Sequence, residues 1–332
     1  MTSVGVLLIN TGTPDNPDEE SVRRFLKEML SDPALISVPP IIWKRVLKYF
    51  ILPKRPKKTV GLYRKMWTER GSLFMEISRK QQSALQHELQ NRSTGEEKFE
   101  VCLAMRYGTP GIESQVKRLR ERGCGTVIVL PLYPQYVNVC AGTCLAEFRR
   151  CMNVQADGGW NPEIIEIDHF HDQPAYMHAL AQSVKRRWSY KPHSKLIVSF
   201  HSTLMADIDA GDPYREQTHE TASKLAVSLG VPEEDVMVSY QSRFDSRKWL
   251  QPFTDDVLEQ AAVMGVDDVC VVCPGFVAEN IESKLEAGEQ LRDEFLECAT
   301  PGASYTYIPT LDDDPGLIAA LADAVEQAIG KA

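Results

Sequence analysis

The chain has 332 residues, with 37 Lys and Arg against 46 Asp and Glu, a formal charge of −9. At roughly 100–200 residues per domain, that length implies two domains or one large one. A content of 43% hydrophobic and 25% charged residues excludes disorder as the overall state, and the acidic balance argues against nucleic acid as a partner. Taken in chain order, a strand pattern at 4–9 precedes a helical pattern at 19–30, and a second helical pattern at 74–89 leads into a strand at 99–105. A helix at 112–122, a strand at 126–132, a helix at 145–152 and a strand at 164–167 follow. The same alternation then runs through a helix at 174–188, a strand at 196–200, a helix at 215–228 and a strand at 236–240. It closes with a helix at 255–264, a strand at 269–272, a helix at 279–297, a strand at 305–308 and a helix at 316–329. The strand runs are short and rich in Val, Ile and Leu, as buried strands are. Alternating βαβα over this length predicts an α/β fold with parallel sheets covered by helices on both faces.

The polar stretch 155–162 breaks this periodicity, which predicts two similar doubly wound halves, at 1–155 and 160–312, with a helix at 314–330 packing back on the first. No apolar run reaches the roughly 18 residues needed to cross a bilayer. The opening Met1-Thr2-Ser3-Val4-Gly5 has no basic segment followed by a long apolar one, so no signal peptide is predicted and the expected compartment is the cytoplasm. The eight cysteines are then expected as free thiols or ligands, not as a disulfide framework.

Ligands of open α/β sheets bind outside the carboxyl ends of the strands. Those ends read Asn10-Thr11-Gly12, Arg106-Tyr107-Gly108, Tyr133-Pro134-Gln135-Tyr136, His201-Ser202, Gln241-Ser242-Arg243 and Pro274-Gly275-Phe276. This rim is aromatic, with one His and two Arg, and suits a flat conjugated ligand carrying acidic groups. The glycine fingerprints for a dinucleotide or a P-loop are absent. His201, directly after a strand, is placed to take protons or bind a metal, or simply to bond a neighbouring backbone group. Glu279, Glu282, Glu286 and Glu289 are spaced three, four and three apart, which puts them on one face of an α-helix. Such a row is either a solvated acidic face or a path for protons or a hard cation. The stretch 35–52 combines apolar residues with Lys44, Arg45 and Lys48, the pattern of an interfacial element or of a core helix with snorkelling lysines. Cys140, Cys144 and Cys151 raise an iron–sulfur cluster, but three ligands fall short of the usual four. Cys124 lies at the far end of the 126–132 strand, roughly 20 Å away at ~3.3 Å per residue. Buried inert thiols are the default.

Longer motifs stand in order along the chain. They are Leu7-Leu8-Ile9-Asn10-Thr11-Gly12-Thr13-Pro14, Leu52-Pro53-Lys54-Arg55-Pro56, Ala104-Met105-Arg106-Tyr107-Gly108 and Pro131-Leu132-Tyr133-Pro134-Gln135-Tyr136. Further on come Ser199-Phe200-His201-Ser202, Gly211-Asp212-Pro213-Tyr214, Gln241-Ser242-Arg243-Phe244 and Pro274-Gly275-Phe276 leading to Glu282 and Glu286. In this order the motifs resemble those of ferrochelatases, the enzymes that insert ferrous iron into a porphyrin late in haem synthesis. The resemblance implies two Rossmann-like domains with a porphyrin cleft between them, and His201 and Glu282 as the groups that bind the metal and remove the pyrrole protons. Glu286 would continue the acidic path as a second metal-side carboxylate. Thr11, Arg55, Tyr63, Ser72, Arg106, Tyr107 and Trp249 would lie near the macrocycle or its carboxylates, joined by Tyr133 and Phe276 of the aromatic rim. No cofactor beyond the Fe2+ substrate is implied, and the C-terminal cysteine extension of cluster-bearing animal members is absent. The 35–52 stretch matches a lip that rests on the membrane in some members, which implies peripheral contact with its inner face. Thr11 stands where coproporphyrin-using members often carry Tyr, which favours protoporphyrin over coproporphyrin.

The chain departs from the pattern where His-Gly-Leu-Pro or His-Ser-Leu-Pro reads His201-Ser202-Thr203-Leu204, and where Asp-Cys-Leu-Glu reads Glu279-Asn280-Ile281-Glu282. These departures leave open a non-catalytic porphyrin-binding homologue, and a cobalt or nickel chelatase acting on a sirohydrochlorin-like ring.

Overall fold

Two sets of apolar strands build two separate parallel sheets in the computed structural model, which describes residues 2–36, 38–93, 95, 97–155, 159–243 and 246–330. Ser37 of the expected lip, residues 156–158 of the expected boundary and Phe244 of the Gln-Ser-Arg-Phe motif lie outside the described residues. The chain divides into one unit of Met1–Leu132, Asn138–Asp168 and Val325–Ala332, and another of Tyr133–Val137 and His169–Ala324.

In the first unit, β1 (Thr2–Asn10) is an almost unbroken apolar run, and Val6, Leu7, Leu8 and Ile9 are fully buried. Continuous apolar runs of this kind belong to strands covered on both faces. Helix α1 (Glu19–Met29) starts at Asp18, whose carboxylate accepts from the Ser21 amide, and buries Val22, Phe25 and Leu26. Then come α2 (Pro40–Val46), a π-helical turn over Leu47–Ile51, and α3 (Arg55–Lys65). A short antiparallel hairpin of β2 (Trp67–Thr68) and β3 (Gly71–Ser72) leads into α4 (Leu73–Arg92) and β4 (Glu97–Met105). The unit continues with α5 (Ile112–Glu121), β5 (Thr126–Pro131), α6 (Thr143–Gln155) and β6 (Glu163–Glu166). Its sheet has the order β4-β1-β5-β6, all parallel. The expected boundary at 155–160 is therefore corrected. Strand β6 pairs with β5, Ile164 opposite Val127 and Ile165 opposite Ile128, so apart from the short excursion Tyr133–Val137 the chain crosses to the second unit after Asp168.

The second unit takes α7 (Pro174–Lys185), β7 (Lys195–His201), α8 (Met205–Asp209), α9 (Tyr214–Leu229) and β8 (Val236–Gln241). It continues with α10 (Thr254–Val263), β9 (Asp268–Val272), a ten-residue π-helix over Ile281–Gln290, α11 (Leu291–Cys298) and β10 (Ser304–Ile308). The last helix, α12 (Pro315–Ala328), has its first ten residues in the second unit and passes into the first at Val325. This sheet runs β10-β9-β7-β8, again all parallel. Numbered within each unit, both sheets have the order 2-1-3-4, a topological similarity that the sequence carries without a residue repeat. In such a sheet the order reverses between strands 1 and 3, and that crevice is where ligands bind. It lies beside β1 and β5 in the first unit and beside β7 and β9 in the second.

Candidate active site

His201 ends β7, and Glu282 lies in the segment that follows β9, so the two residues come from the strands flanking the switch point of the second sheet. The His201 imidazole directs Nδ1 to the Ser202 carbonyl at 2.6 Å. A carbonyl can only accept, so Nδ1 carries the proton and Nε2 keeps its lone pair. The His201 carbonyl accepts from the Tyr214 hydroxyl at 3.0 Å. No proline follows His201, and the loop is pinned in other ways. Ser202 donates from its amide to the Gln241 carbonyl (2.8 Å) and from its hydroxyl to the Leu250 carbonyl (2.9 Å). The Leu250 amide donates to the Thr203 carbonyl (2.8 Å) and the Met205 amide to the Lys248 carbonyl (3.0 Å), with Leu204 bridged to Trp249 between them.

The π-helix carries the acidic groups. It opens on Asn280, whose side-chain oxygen accepts from the Ser283 amide (2.8 Å), while the Asn280 amide donates to Ser283 Oγ (3.0 Å). Asn280, part of a motif that departs from the family pattern, thus forms a reciprocal capping pair with Ser283. The expected single acidic face is corrected. Glu279 precedes the cap, and i→i+5 winding changes the register of the rest. The Glu279 carboxylate is buried and accepts from Ser283 Oγ (2.7 Å), Tyr307 Oη (3.1 Å) and the Thr310 amide (3.2 Å). Its pKa is raised by burial, against those hydrogen bonds. Gly288 lets the π-helix lie close on β10, since a Cβ there would sit 3.1 Å from the Tyr307 ring.

Glu282 and Glu286 are half-buried, and the end of β8 and the residue after it support them. The Gln241 side-chain amide donates to the Glu282 carbonyl at 2.7 Å, and its oxygen accepts from Ser199 Oγ at 2.6 Å. The next residue, Ser242, has φ +68 and turns both its amide (3.0 Å) and its hydroxyl onto the Glu286 carboxylate. A left-handed non-glycine residue is a strained one, and here its position orients two donors onto one acid. Burial raises the Glu286 pKa, the Ser242 hydrogen bond opposes this, the Glu282 charge adds to it and the His201 charge counters it. The three groups therefore share one electrostatic neighbourhood. His201, Glu282 and Glu286 do not gather their ligand atoms within 4.8 Å of one another, so they form an open constellation and not a closed metal cage.

The other expected residues lie as follows. Trp249 is buried beneath the 203–205 loop, with the Arg247 guanidinium 5.5 Å from its ring centroid. Phe276 follows the Pro274-Gly275 turn, whose Pro274 carbonyl accepts from Tyr176 Oη, and it packs against the β9–α10–α11 core. Tyr133 is half-buried after β5. In the first unit, Thr11 directly follows β1, and its carbonyl accepts from the Tyr107 amide at 2.9 Å. Gly12 beside it has φ +109, and a Cβ there would lie 1.9 Å from the Tyr107 carbonyl, so only glycine fits. Ser72 is buried against Thr13 (3.1 Å) at the start of α4. Arg106 forms an ion pair with Asp32, which also accepts from Tyr107 Oη at 2.8 Å, and Tyr107 lies in the core with Phe25 and Leu26. The Tyr63 ring meets Phe25 edge-on at 6.1 Å, and Arg55 opens α3. Gln241, Ser242 and Asp32 received no role from the sequence. A polar pair ending an apolar strand is the signal that Gln241 and Ser242 offered.

The eight cysteines form no disulfide. Cys144 and Cys151 are buried on α6, and burial pushes the Cys151 thiol up to about 12.

The ferrochelatase family model matches residues 3–329. The chain belongs to the ferrochelatase family. A ferrochelatase of Bordetella pertussis is 40% identical over 325 residues, covering 98% of this chain and 88% of that protein. A ferrochelatase of Actinobacillus pleuropneumoniae is 40% identical over 327 residues, covering 98% of both. Among solved structures, SirB from Bacillus subtilis with Fe3+ aligns with TM-score 0.57 at 10% identity, over 99% of this chain and 96% of that one. That likeness establishes the two-domain chelatase fold for this ferrochelatase family member.

Proposed function

We propose that the chain inserts ferrous iron into protoporphyrin, releasing the two pyrrole protons, as the haem-forming lyase of its family. The observation that carries this reading is the pairing across the second switch point. His201 on β7 and Glu282 after β9 are tied together through Gln241, which is register partner to His201 and hydrogen-bond donor to Glu282.

A free-base porphyrin has two N–H groups that must leave as the cation enters. His201 is the acceptor, because its Nδ1–H is held by Ser202 and Nε2 presents the lone pair. The Glu282 carboxylate is a hard oxygen ligand suited to drawing Fe2+ out of water. Glu286, kept on Ser242 with its pKa raised, passes protons on from the same neighbourhood. Thr11, directly after β1, supports protoporphyrin over coproporphyrin.

The lip supports peripheral membrane contact. No helix among the described residues is long and apolar enough to cross a membrane. Ile41, Ile42, Tyr49 and Phe50 are 75%, 55%, 61% and 68% exposed, beside Lys44, Arg45 and Lys48. Exposed apolar side chains next to cations are what an anionic lipid surface binds.

The test is to mix the pure protein anaerobically with Fe2+ and protoporphyrin, coproporphyrin or sirohydrochlorin, and to follow the absorption spectrum. Protoporphyrin is expected to convert fastest. Conversion of sirohydrochlorin alone would make the chain a different chelatase, and binding without conversion would make it a porphyrin-binding protein.

A further inference from the structure

Outside the iron-insertion site, a second group of metal-ligating side chains stands where the chain enters the second unit. His169, His171 and Asp172 each bring one ligand atom to within 4.8 Å of the others. The His169 and His171 rings lie 5.3 Å apart, centroid to centroid. The backbone that presents them is fixed. The amides of Phe170 and His171 both donate to the Pro134 carbonyl, at 2.8 and 2.9 Å, and Phe170 between the two histidines is fully buried, edge-on to Tyr176 at 5.6 Å. Pro174 then begins α7.

The decisive feature is the hydrogen bonding of His171. This side chain is only 3% exposed. Its Nε2 lies 3.1 Å from the Glu220 carboxylate of α9. An ionised carboxylate can only accept, so Nε2 carries the proton and Nδ1 of the neutral ring is left as a lone pair. That Nδ1 is buried and has no hydrogen-bond partner. Buried ring nitrogens are ordinarily paired, because an unpaired one destabilises the fold. A carboxylate on one ring nitrogen and a bare lone pair on the other is the arrangement that metal-ligating histidines show, the carboxylate fixing tautomer and orientation.

We propose that His169, His171 and Asp172 bind a divalent cation of the zinc, cobalt or nickel class, with Glu220 orienting His171 from outside the coordination sphere. Two imidazoles and one carboxylate select such borderline cations over Mg2+ and Ca2+, which take oxygen ligands. Three protein ligands leave at least one position for water. The site uses neither His201 nor Glu282, and its occupancy is read without any insertion assay.

Equilibrium dialysis of the full chain against Zn2+ tests it, in a His201→Ala background that removes the His201 ligand. One tightly held equivalent of Zn2+ is expected. Adding His169→Ala and Asp172→Asn, at half-buried and exposed positions that the fold tolerates, should abolish that equivalent while the circular dichroism spectrum is kept. Glu220→Gln should weaken binding about 10–100-fold, and excess Mg2+ should not compete. An absent equivalent in the His201→Ala protein, or one that survives the loss of His169 and Asp172, overturns the proposal. Unchanged affinity in Glu220→Gln removes the orienting role.

Discussion

Replacing Gln241 by Met changes the link between His201 and Glu282 while nearly conserving volume. Gln241 is only 4% exposed, so no cavity or solvent path is expected to open. Two short hydrogen bonds are lost, to the Glu282 carbonyl at 2.7 Å and from Ser199 Oγ at 2.6 Å, together with a long, weak one from Cys273 Sγ at 3.5 Å. Ser199 keeps Thr254 Oγ1 at 2.8 Å as a partner, which limits its penalty. At about 0.5–1.5 kcal/mol for each neutral bond, the fold should lose about 1–3 kcal/mol. Catalysis should suffer more than stability does, because a misplacement of ~1 Å at a reacting group is worth ~10²-fold. Urea unfolding and steady-state insertion of Fe2+ into protoporphyrin measure the two effects. The expected result is a lower midpoint with unchanged slope, a kcat reduced ~10²-fold and a porphyrin KM close to the parent value. Ser199→Ala is the control: it should lower the midpoint and leave kcat nearly intact. A Gln241→Met protein with parental kcat would refute the reasoning that this side chain sets the position of Glu282.

Three further outcomes are expected. Asp32→Asn breaks an ion pair whose side chains are 6% and 17% exposed, leaving Arg106 uncompensated; urea unfolding should show a loss of about 3–5 kcal/mol. Burial holds the folded-state pKa of Glu279 above the ordinary 4.5, so its contribution to stability is complete below that value and is lost as pH rises through the raised folded value. The thermal midpoint of Glu279→Gln should therefore fall less than the parent's as pH climbs from about 4.5; equal slopes would contradict this. Ile41→Glu with Phe50→Ser should reduce co-sedimentation with anionic vesicles several-fold, and undiminished binding would place the lipid contact elsewhere.

The central strands were legible because they are buried on both faces. Val6 to Ile9 and Thr126 to Pro131 have no polar alternation to confuse with a helix. The segment 40–65 was legible only as a composition. Its helices bury few residues, so the apolar periodicity that marks a core helix is missing. The π-helix was hidden for a different reason. A spacing of three, four and three among glutamates reads as α-helical, and the capping by Asn280 and Ser283 that starts the wider winding depends on side-chain geometry. At the site, His201 was visible as a motif residue at a strand end and Glu282 as one in the segment after a strand. The supports were not: Gln241 acts through an amide that reaches across β7 to another segment, and Ser242 acts through a positive φ. Arg106 and Tyr107, expected near the ligand from their motif, are tied to a buried aspartate 74 and 75 residues earlier.

The central claim is that His201 and Glu282 act together on one porphyrin. Its most direct test is a single turnover: protoporphyrin is pre-bound to the parent, His201→Ala and Glu282→Gln proteins, and one equivalent of Fe2+ is added without oxygen. The parent should replace the free-base bands by those of the metalloporphyrin, while both variants hold the porphyrin and leave its spectrum unchanged or convert it slower by orders of magnitude. Conversion at the parental rate in either variant would contradict the account.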